Sequence, residues 1–435
     1  MKSDLQTRWL AMFVLVLCGT PARADLEVKV PQVPDSAIDR LVRVTAPAAS
    51  CAAVSDAYGW LAIGHKKTYK DAHLSLFKLD AQGRVPPAPV AAAPAAAAAA
   101  TPAKPAVIPQ APPILLKLPS HPALAQFPNY PLSLVFHPKL PLLYVWQDIE
   151  SVTQSPAFND QPARGEFDHL LIYNVAGPQP VLVQSQARGA DFPHGMYAGS
   201  LGLDVANSRL YLPNLHQPGL KPQTMYGTAA YVELDAEGLP LPADPAVKPG
   251  PPPRVGASQQ LHFLSPKGIS NNMGLPHGMG WVFVNKDVVI LGCGIGAMTC
   301  DGANRRAWSN GVQLHPFYGA GYNDRITGHP TLPVIYTALL NYNWLCCMEH
   351  VDGYLTLVPR RMAVEGATFK SYPVVLKARN ELAVGGVNRL YLVALDEKGF
   401  PKPTSKQTAI NSDSVEALAY SEKFDILYVA EEKPK

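Results

Sequence analysis

Two histidines occupy the same four-residue setting, Pro193-His194-Gly195-Met196 and Pro276-His277-Gly278-Met279. An imidazole titrates close to neutral pH, so it is the side chain most readily set to take up or give up a proton. Arg325 offers a guanidinium suited to a carboxylate or phosphate, and Glu416 offers a carboxylate. Ser133 and Ser200 add hydroxyls. These groups are far apart in the chain, so they act together only if repeated elements of the fold bring them to one place.

The chain does repeat. "LSLVFHPKLPLLYVWQ" (132–147), "SLGLDVANSRLYLPN" (200–214), "RITGHPTLPVIYTAL" (325–339) and "EALAYSEKFDILYVAE" (416–431) each read as a short apolar strand, a polar turn and a second strand carrying a tyrosine. A second piece follows some of them: "LFKLDAQGRV" (76–85), "YVELDAEGLP" (231–240) and "YLVALDEKGF" (391–400). In each, an Asp follows the strand and a Gly comes three residues later, as in Asp80/Gly83, Asp235/Gly238 and Asp396/Gly399. Asp opens such a turn, and Gly accepts the positive φ near its end. "LIYNVAGPQP" (171–180) is a looser copy. Two inner strands, a connector and an outer hairpin make a four-stranded antiparallel blade. Stacked radially, such blades form an all-β propeller. Six to eight blades fit the length, and seven is preferred. Starts fall near Asp56, Leu132, Ser200, Gly280, Arg325, Glu381 and Glu416. The last segment supplies two strands, and the N-terminal stretches "LEVKVPQV" and "RLVRVTAP" are expected to complete its blade and so close the ring.

The strand-turn-strand segments "FHPKLPLLYV", "GHPTLPVIYT" and "AYSEKFDILYVA", together with "LPHGMGWVFVNKDVVIL", resemble the YVTN-type repeats of the lactonase-like seven-bladed propellers. The resemblance covers about two thirds of the chain. It implies the fold, and it implies small-molecule hydrolysis as one activity among several that propellers carry.

The register sorts the polar residues. His137 and His329 precede Pro in the first hairpin turn of their repeats, where they serve turn geometry. Counting back eleven residues from Tyr144, Tyr211, Tyr336 and Tyr428 reaches Ser133, Ser200, Arg325 and Ala417, the last beside Glu416. With His277 just before an inner strand and His194 on a longer entry loop, these positions meet at the mouth of a central channel. The candidate ligand-binding set is therefore Ser133, His194, Ser200, His277, Arg325 and Glu416. Within it, His277, Arg325 and Glu416 are the candidate catalytic groups. Such a mouth suits a small anionic or hydroxylated ligand. His194 and His277 lack a third ligand, so no metal site is expected, and no cofactor is expected.

Residues 1–24 read as an export signal, with Lys2 and Arg8, the apolar run "WLAMFVLVLCG" and the small-x-small site Ala22-Arg23-Ala24. The expected mature chain, 25–435, is a single domain, periplasmic or secreted. Its removal takes Lys2, Arg8, Arg23 and Asp4 from a formal charge of +3 and leaves about +1. No basic tract supports nucleic-acid binding, and no later apolar run is long enough to span a membrane. Residues 85–113, rich in Pro and Ala, read as an extended or disordered linker between blades. Cys51, Cys293, Cys300, Cys346 and Cys347 are disulfide candidates: Cys293 with Cys300, and Cys51 with one of the adjacent pair. No GxSxG, P-loop, HExxH or CxxCH motif is present. The expected role is a binding scaffold for an unknown small molecule or an envelope protein. The alternatives are a lactonase-like hydrolase and, further off, a subunit of a periplasmic redox complex.

Overall fold

The structure, a computed structural model, describes residues 26–28, 38, 40–69, 71–87, 110–119, 129–149, 168–187, 200–212, 228–241, 259–262, 280–284, 287–292, 296–301, 306–313, 326–338, 343–351, 354–402, 408–411 and 415–431. Residues 1–24 lie outside them. The described residues form seven sheets, almost wholly from antiparallel strands, with one short 3-10 turn at Lys377–Arg379.

The sheets follow chain order. The first comprises Ala49–Ser55, Trp60–Tyr69, Ala72–Lys78 and Ile114–Leu116. The second comprises Asn129–Phe136, Leu142–Ile149, Asp168–Asn174 and Val181–Ala187, and the third Gly202–Asp204, Arg209–Leu212, Thr228–Glu233 and Gln259–His262. The fourth holds Gly280–Val284, Asp287–Gly292, Gly296–Asp301 and Arg306–Gln313. The fifth holds Thr327–Gly328, Val334–Ala338, Trp344–Val351 and Tyr354–Val364, and the sixth Val374–Leu376, Glu381–Gly386, Arg389–Ala394 and Thr408–Asn411. Val415–Ser421 and Ile426–Glu431 make the seventh with the N-terminal strand Leu41–Thr45. The first strands of neighbouring sheets approach one another, and Val415–Ser421 of the last packs against Ala49–Ser55 of the first.

Side-chain alternation explains the apolar run Leu142–Trp146 in the second strand of the second sheet. In Leu142–Ile149, Leu142, Tyr144 and Trp146 pack with Leu201, Leu210 and Val232 of the third sheet. Leu143 and Val145 point the other way, to Trp60, Ala62 and Leu74 of the first. A strand buried on both faces needs no polar alternation. Burying each such aliphatic side chain contributes about 1.5–3 kcal/mol, so the second sheet is held from both sides. Equivalent cores join the fifth sheet to the sixth, the sixth to the seventh, and the seventh to the first.

Polar bonds fix the angular register of these cores. The Tyr144 hydroxyl donates to the Gly238 carbonyl at 2.7 Å, reaching from the second sheet to the third. Tyr336 makes the same bond to Gly399 at 2.5 Å, from fifth to sixth, and Tyr428 makes it to Gly83, from seventh to first. From first to second, the Trp60 indole donates to Val175 at 2.9 Å. Each acceptor glycine ends the Asp-x-x-Gly turn, with φ of +76° at Gly83, +79° at Gly238 and +81° at Gly399. The turn Asp shapes the loop by accepting backbone N–H groups: Asp80 from Gln82 and Arg84, and Asp396 from Lys398 and Phe400.

Several expectations need correcting. The first strand begins at Ala49, so Asp56 falls in the following turn, and Glu381 opens the second strand of the sixth sheet, not the first. Leu41–Thr45 does complete the seventh sheet, parallel to Leu427–Glu431, but Leu26–Val28 pairs with Met362–Val364 on the fifth. The Pro/Ala-rich insertion enters within a sheet. Pro87 and Gln110 are bridged, and Ile114–Leu116 is the fourth strand of the first sheet. Cys51, Cys346 and Cys347 are buried, and none of the three is in a disulfide. Cys51 lies in the first sheet and Cys346 and Cys347 in the fifth. Adjacent strand residues face opposite sides, so the neighbouring pair cannot bridge. Cys293 lies outside the described residues, and only the backbone of Cys300 is described, opposite Val288 and Ala307.

Replacing Tyr428 by Phe leaves the Gly83 carbonyl unsatisfied and is expected to lower stability by about 1–3 kcal/mol. Gly83→Ala adds a strained φ and a Cβ 2.4 Å from the Phe424 ring, for a loss of about 2–4 kcal/mol. Urea denaturation measures both, and a Gly83→Ala midpoint equal to wild type would remove the proposed lock.

Candidate functional site

The first strand of each sheet has two distinct ends. At the far end, one side chain in each of five sheets caps the hairpin. His137 Nδ1 accepts from the backbone N–H of Lys139 at 3.1 Å and of Leu140 at 2.9 Å. His329 Nδ1 accepts from Thr331 at 3.2 Å and Leu332 at 3.1 Å. Asp204, Ser421 and Ser55 do the same for Asn207, Phe424 and Tyr58. His137 and His329 are therefore turn residues, as their position before Pro suggested. With Nδ1 as acceptor, the proton sits on Nε2 and the ring is neutral. Burial lowers the pKa of both; Lys139 lowers His137 further, while at His329 a bond to Asn380 opposes the shift.

Four residues before each cap lies the entry position: Cys51, Ser133, Ser200, Arg325 and Ala417. In three sheets a bulge sits one residue earlier, at Ser50, Leu132 and Glu416, where the ladder register slips. A bulge bends the strand and re-aims a side chain, as is common at sheet rims. Glu416 thus occupies the same backbone irregularity as Ser50 and Leu132; its side chain lies outside the described set.

The polar atoms described here mostly join one sheet to the next. Ser133, 2% exposed, accepts the Leu201 N–H at 2.8 Å. Ser50 donates to the Pro131 carbonyl at 2.6 Å, and the Cys51 thiol reaches the same carbonyl at 3.5 Å. Thr327 donates to Pro373 at 2.5 Å. Ser133 is committed to this belt. Ser200 sits at the entry of the third sheet, one residue before Leu201, and is half-buried. His194, His277 and Arg325 lie outside the described residues; Arg325 directly precedes Ile326, and His277 lies three residues before Gly280–Val284.

A buried polar pair escaped the sequence reading. His65 Nε2 lies 2.8 Å from Ser75 Oγ, and its Nδ1 lies 2.9 Å from the Pro47 carbonyl. Both side chains are buried, and burial lowers the His65 pKa. A Ser–His contact between the second and third strands, closed off from solvent, serves packing. The cross-strand neighbourhood that would have exposed it depends on register, which spacing alone does not give. No group of three or more metal-ligating side chains occurs among the described residues. Burial pushes the pKa of the Cys347 thiol up, and its strand position lies across from Tyr336.

With seven sheets arranged in this way, comparison with known proteins becomes informative. A crystal structure of a putative 6-phosphogluconolactonase from Bacteroides uniformis ATCC 8492 superposes with a TM-score of 0.50. The match covers 85% of this chain and 88% of that one, at 13% identity. The fold is a β-propeller of antiparallel sheets. At that identity the likeness concerns the fold. No protein-family model matches the chain, and no curated protein does.

The hairpin caps make the propeller sensitive to acid. His137 and His329 are held neutral when folded, whereas unfolded they take up a proton near the ordinary value of about 6.5. Their contribution is present above that pH and is lost as pH falls towards their lowered folded values. Melting temperature is expected to stay level above about pH 7 and to drop below 6.5. A His137→Asn, His329→Asn variant keeps an accepting oxygen without the titration and should show a shallower drop. Parallel melting curves for the two proteins would exclude this role.

Proposed function

We propose that the chain is an exported propeller that binds a small anionic or hydroxylated ligand at its axial mouth. The observation that carries this reading is the repeated bulge before the entry position, which Glu416 shares with Ser50 and Leu132. The strand order supports it too, because first strands meet first strands from sheet to sheet. Arg325 holds the entry position by its spacing from the His329 cap, and His277 stands just ahead of the fourth sheet. In the proposed mouth, Arg325 pairs with the anion, Glu416 accepts from ligand hydroxyls, and His277 adds a tunable donor or acceptor. The exported location rests on the leader-like residues 1–24 and fits an extracytoplasmic ligand or an envelope partner.

A second reading follows from the structural neighbour, a putative 6-phosphogluconolactonase. In it, His277 is the general base that activates water against a lactone carbonyl, and Arg325 holds an anionic substituent. The absence of a nucleophile elbow from the sequence agrees with water, and not a serine, as the attacking group.

Calorimetric titration of the mature protein with gluconate and 6-phosphogluconate separates the readings. Binding is expected to weaken about tenfold or more in Arg325→Ala, the cost of one charge-assisted bond. Equal affinity in wild type, Arg325→Ala and Glu416→Gln, or no binding at all, would end the mouth assignment. Hydrolysis of 6-phosphogluconolactone above the buffer rate, lost by about a hundredfold or more in His277→Ala, would establish the second reading.

A further inference from the structure

The fifth residue of a second strand stands level with the entry position of its own sheet, as Gly64 does opposite Cys51, Trp146 opposite Ser133 and Ala430 opposite Ala417. In the first sheet a Cβ on Gly64 would lie 2.6 Å from Pro131 Cγ and 2.7 Å from Cys51 Sγ. In the sixth sheet the fifth residue is Gly385. A Cβ there would overlap Val415 Cγ1 and lie 2.5 Å from the Val415 carbonyl oxygen. Pro131 and Val415 each directly precede a bulge in the next sheet, at Leu132 and at Glu416. Ala430 of the seventh sheet shares a core with Ala49, which precedes the bulge at Ser50. Where the described ladder of the next sheet shows no slip, the fifth residue is Trp146, Leu291 or Ala338.

Neither Gly64 nor Gly385 has a positive φ, so lack of space, and not backbone conformation, calls for glycine at both. At Gly64 the obstruction is a proline ring and a thiol. At Gly385 it includes a backbone oxygen, which cannot turn aside as a side chain can. The Gly385 backbone is itself held. Its N–H donates to Ser371 Oγ at 2.7 Å, and its carbonyl accepts from Lys370 at 2.8 Å and from Ser371 at 3.1 Å. Ser371 is buried, and its Oγ stands 2.8 Å from the Cβ position. With the sixth sheet fixed in this way, a side chain at 385 displaces Val415 and the bulge that follows it.

We propose that Gly385 is a positioning residue for Glu416: the space left by its missing side chain seats Val415 and so sets the backbone from which Glu416 projects. Its consequence for a ligand rests on the axial-mouth reading, whereas the seating does not.

Residual dipolar couplings of the Val415, Glu416 and Ala417 amides, which read orientation and not mere proximity, test this in the mature protein. Gly385→Ala is expected to change them. Gly64→Ala, a clash of the same kind against the second sheet, is expected to leave them as in wild type. Both variants melt lower, but titration with 6-phosphogluconate is expected to show about tenfold weaker binding in Gly385→Ala alone. Couplings in Gly385→Ala equal to wild type overturn the proposal whatever the affinities are. Changed couplings with unchanged affinity, or with no binding by wild type, support the seating and end the mouth reading instead. Should Gly385→Ala fail to fold, Ser371→Ala supplies the second measurement, because it frees the Gly385 backbone to move away from Val415. Changed couplings at Glu416 then support the proposal, and unchanged ones overturn it.

Discussion

The hydrogen bond from a second-strand tyrosine to a turn glycine in the next sheet is the constraint on which the architecture depends. Apolar cores alone leave two packed sheets free to slide, because dispersion and burial are not directional. A buried hydroxyl that must find an acceptor removes that freedom. Its acceptor exists only because the Asp-x-x-Gly turn presents a carbonyl there, and the turn closes only because glycine takes a positive φ. At Gly238 and Gly399 the tyrosine oxygen stands 2.9 Å from where a Cβ would lie, so the same atom that rewards glycine excludes alanine. Burial raises the pKa of Tyr144, Tyr336 and Tyr428, which keeps each a donor at any physiological pH.

From that bond the rest of the register follows. The tyrosine fixes its strand, and the ladder fixes the first strand opposite it: Tyr144 faces Val135, and Tyr428 faces Ala419. Two residues onward comes the hairpin cap, and two residues back comes the entry position. Side chains at cap and entry are therefore set by one acceptor in the neighbouring sheet. Where the tyrosine is missing, other groups carry the load: the Trp60 indole between the first and second sheets, and the Arg379–Asp425 pair between the sixth and seventh.

This dependence explains what was legible in the sequence. The tyrosines, the Asp-x-x-Gly turns and the His-Pro turns are local patterns whose chemistry needs no knowledge of the fold, and they lead to seven sheets and to the right strands. The entry positions counted back from tyrosine coincide with those counted back from the caps, because both measure the same ladder. The sixth sheet was misplaced because its first strand is three residues long and carries no tyrosine opposite. The cysteines misled because pairing is a matter of which face a strand shows, and composition is silent on that. Leu26–Val28 was assigned to the wrong sheet because parallel edge pairing leaves no turn to read. The Ser133 hydroxyl, four residues before the His137 cap, is bound to the neighbouring backbone, which spacing does not reveal.

The two ends of a first strand carry unequal obligations. Cap and entry are four residues apart, about 13 Å along an extended strand, so chemistry at one end does not disturb the other. In five described sheets the cap satisfies backbone N–H groups with His, Asp or Ser. The entry position has no such uniform duty. Ser133 and Cys51 spend their polar atoms on the next sheet, while Ala417 has none to spend. In the sheet that ends in Ala417, the bulge residue before it is the acidic Glu416, whereas the second sheet, whose entry serine is occupied, has Leu132 there. Polarity at the entry positions is thus distributed by what each sheet-to-sheet junction leaves over. A fold so organised can vary an entry residue without loosening the bonds that set the sheets.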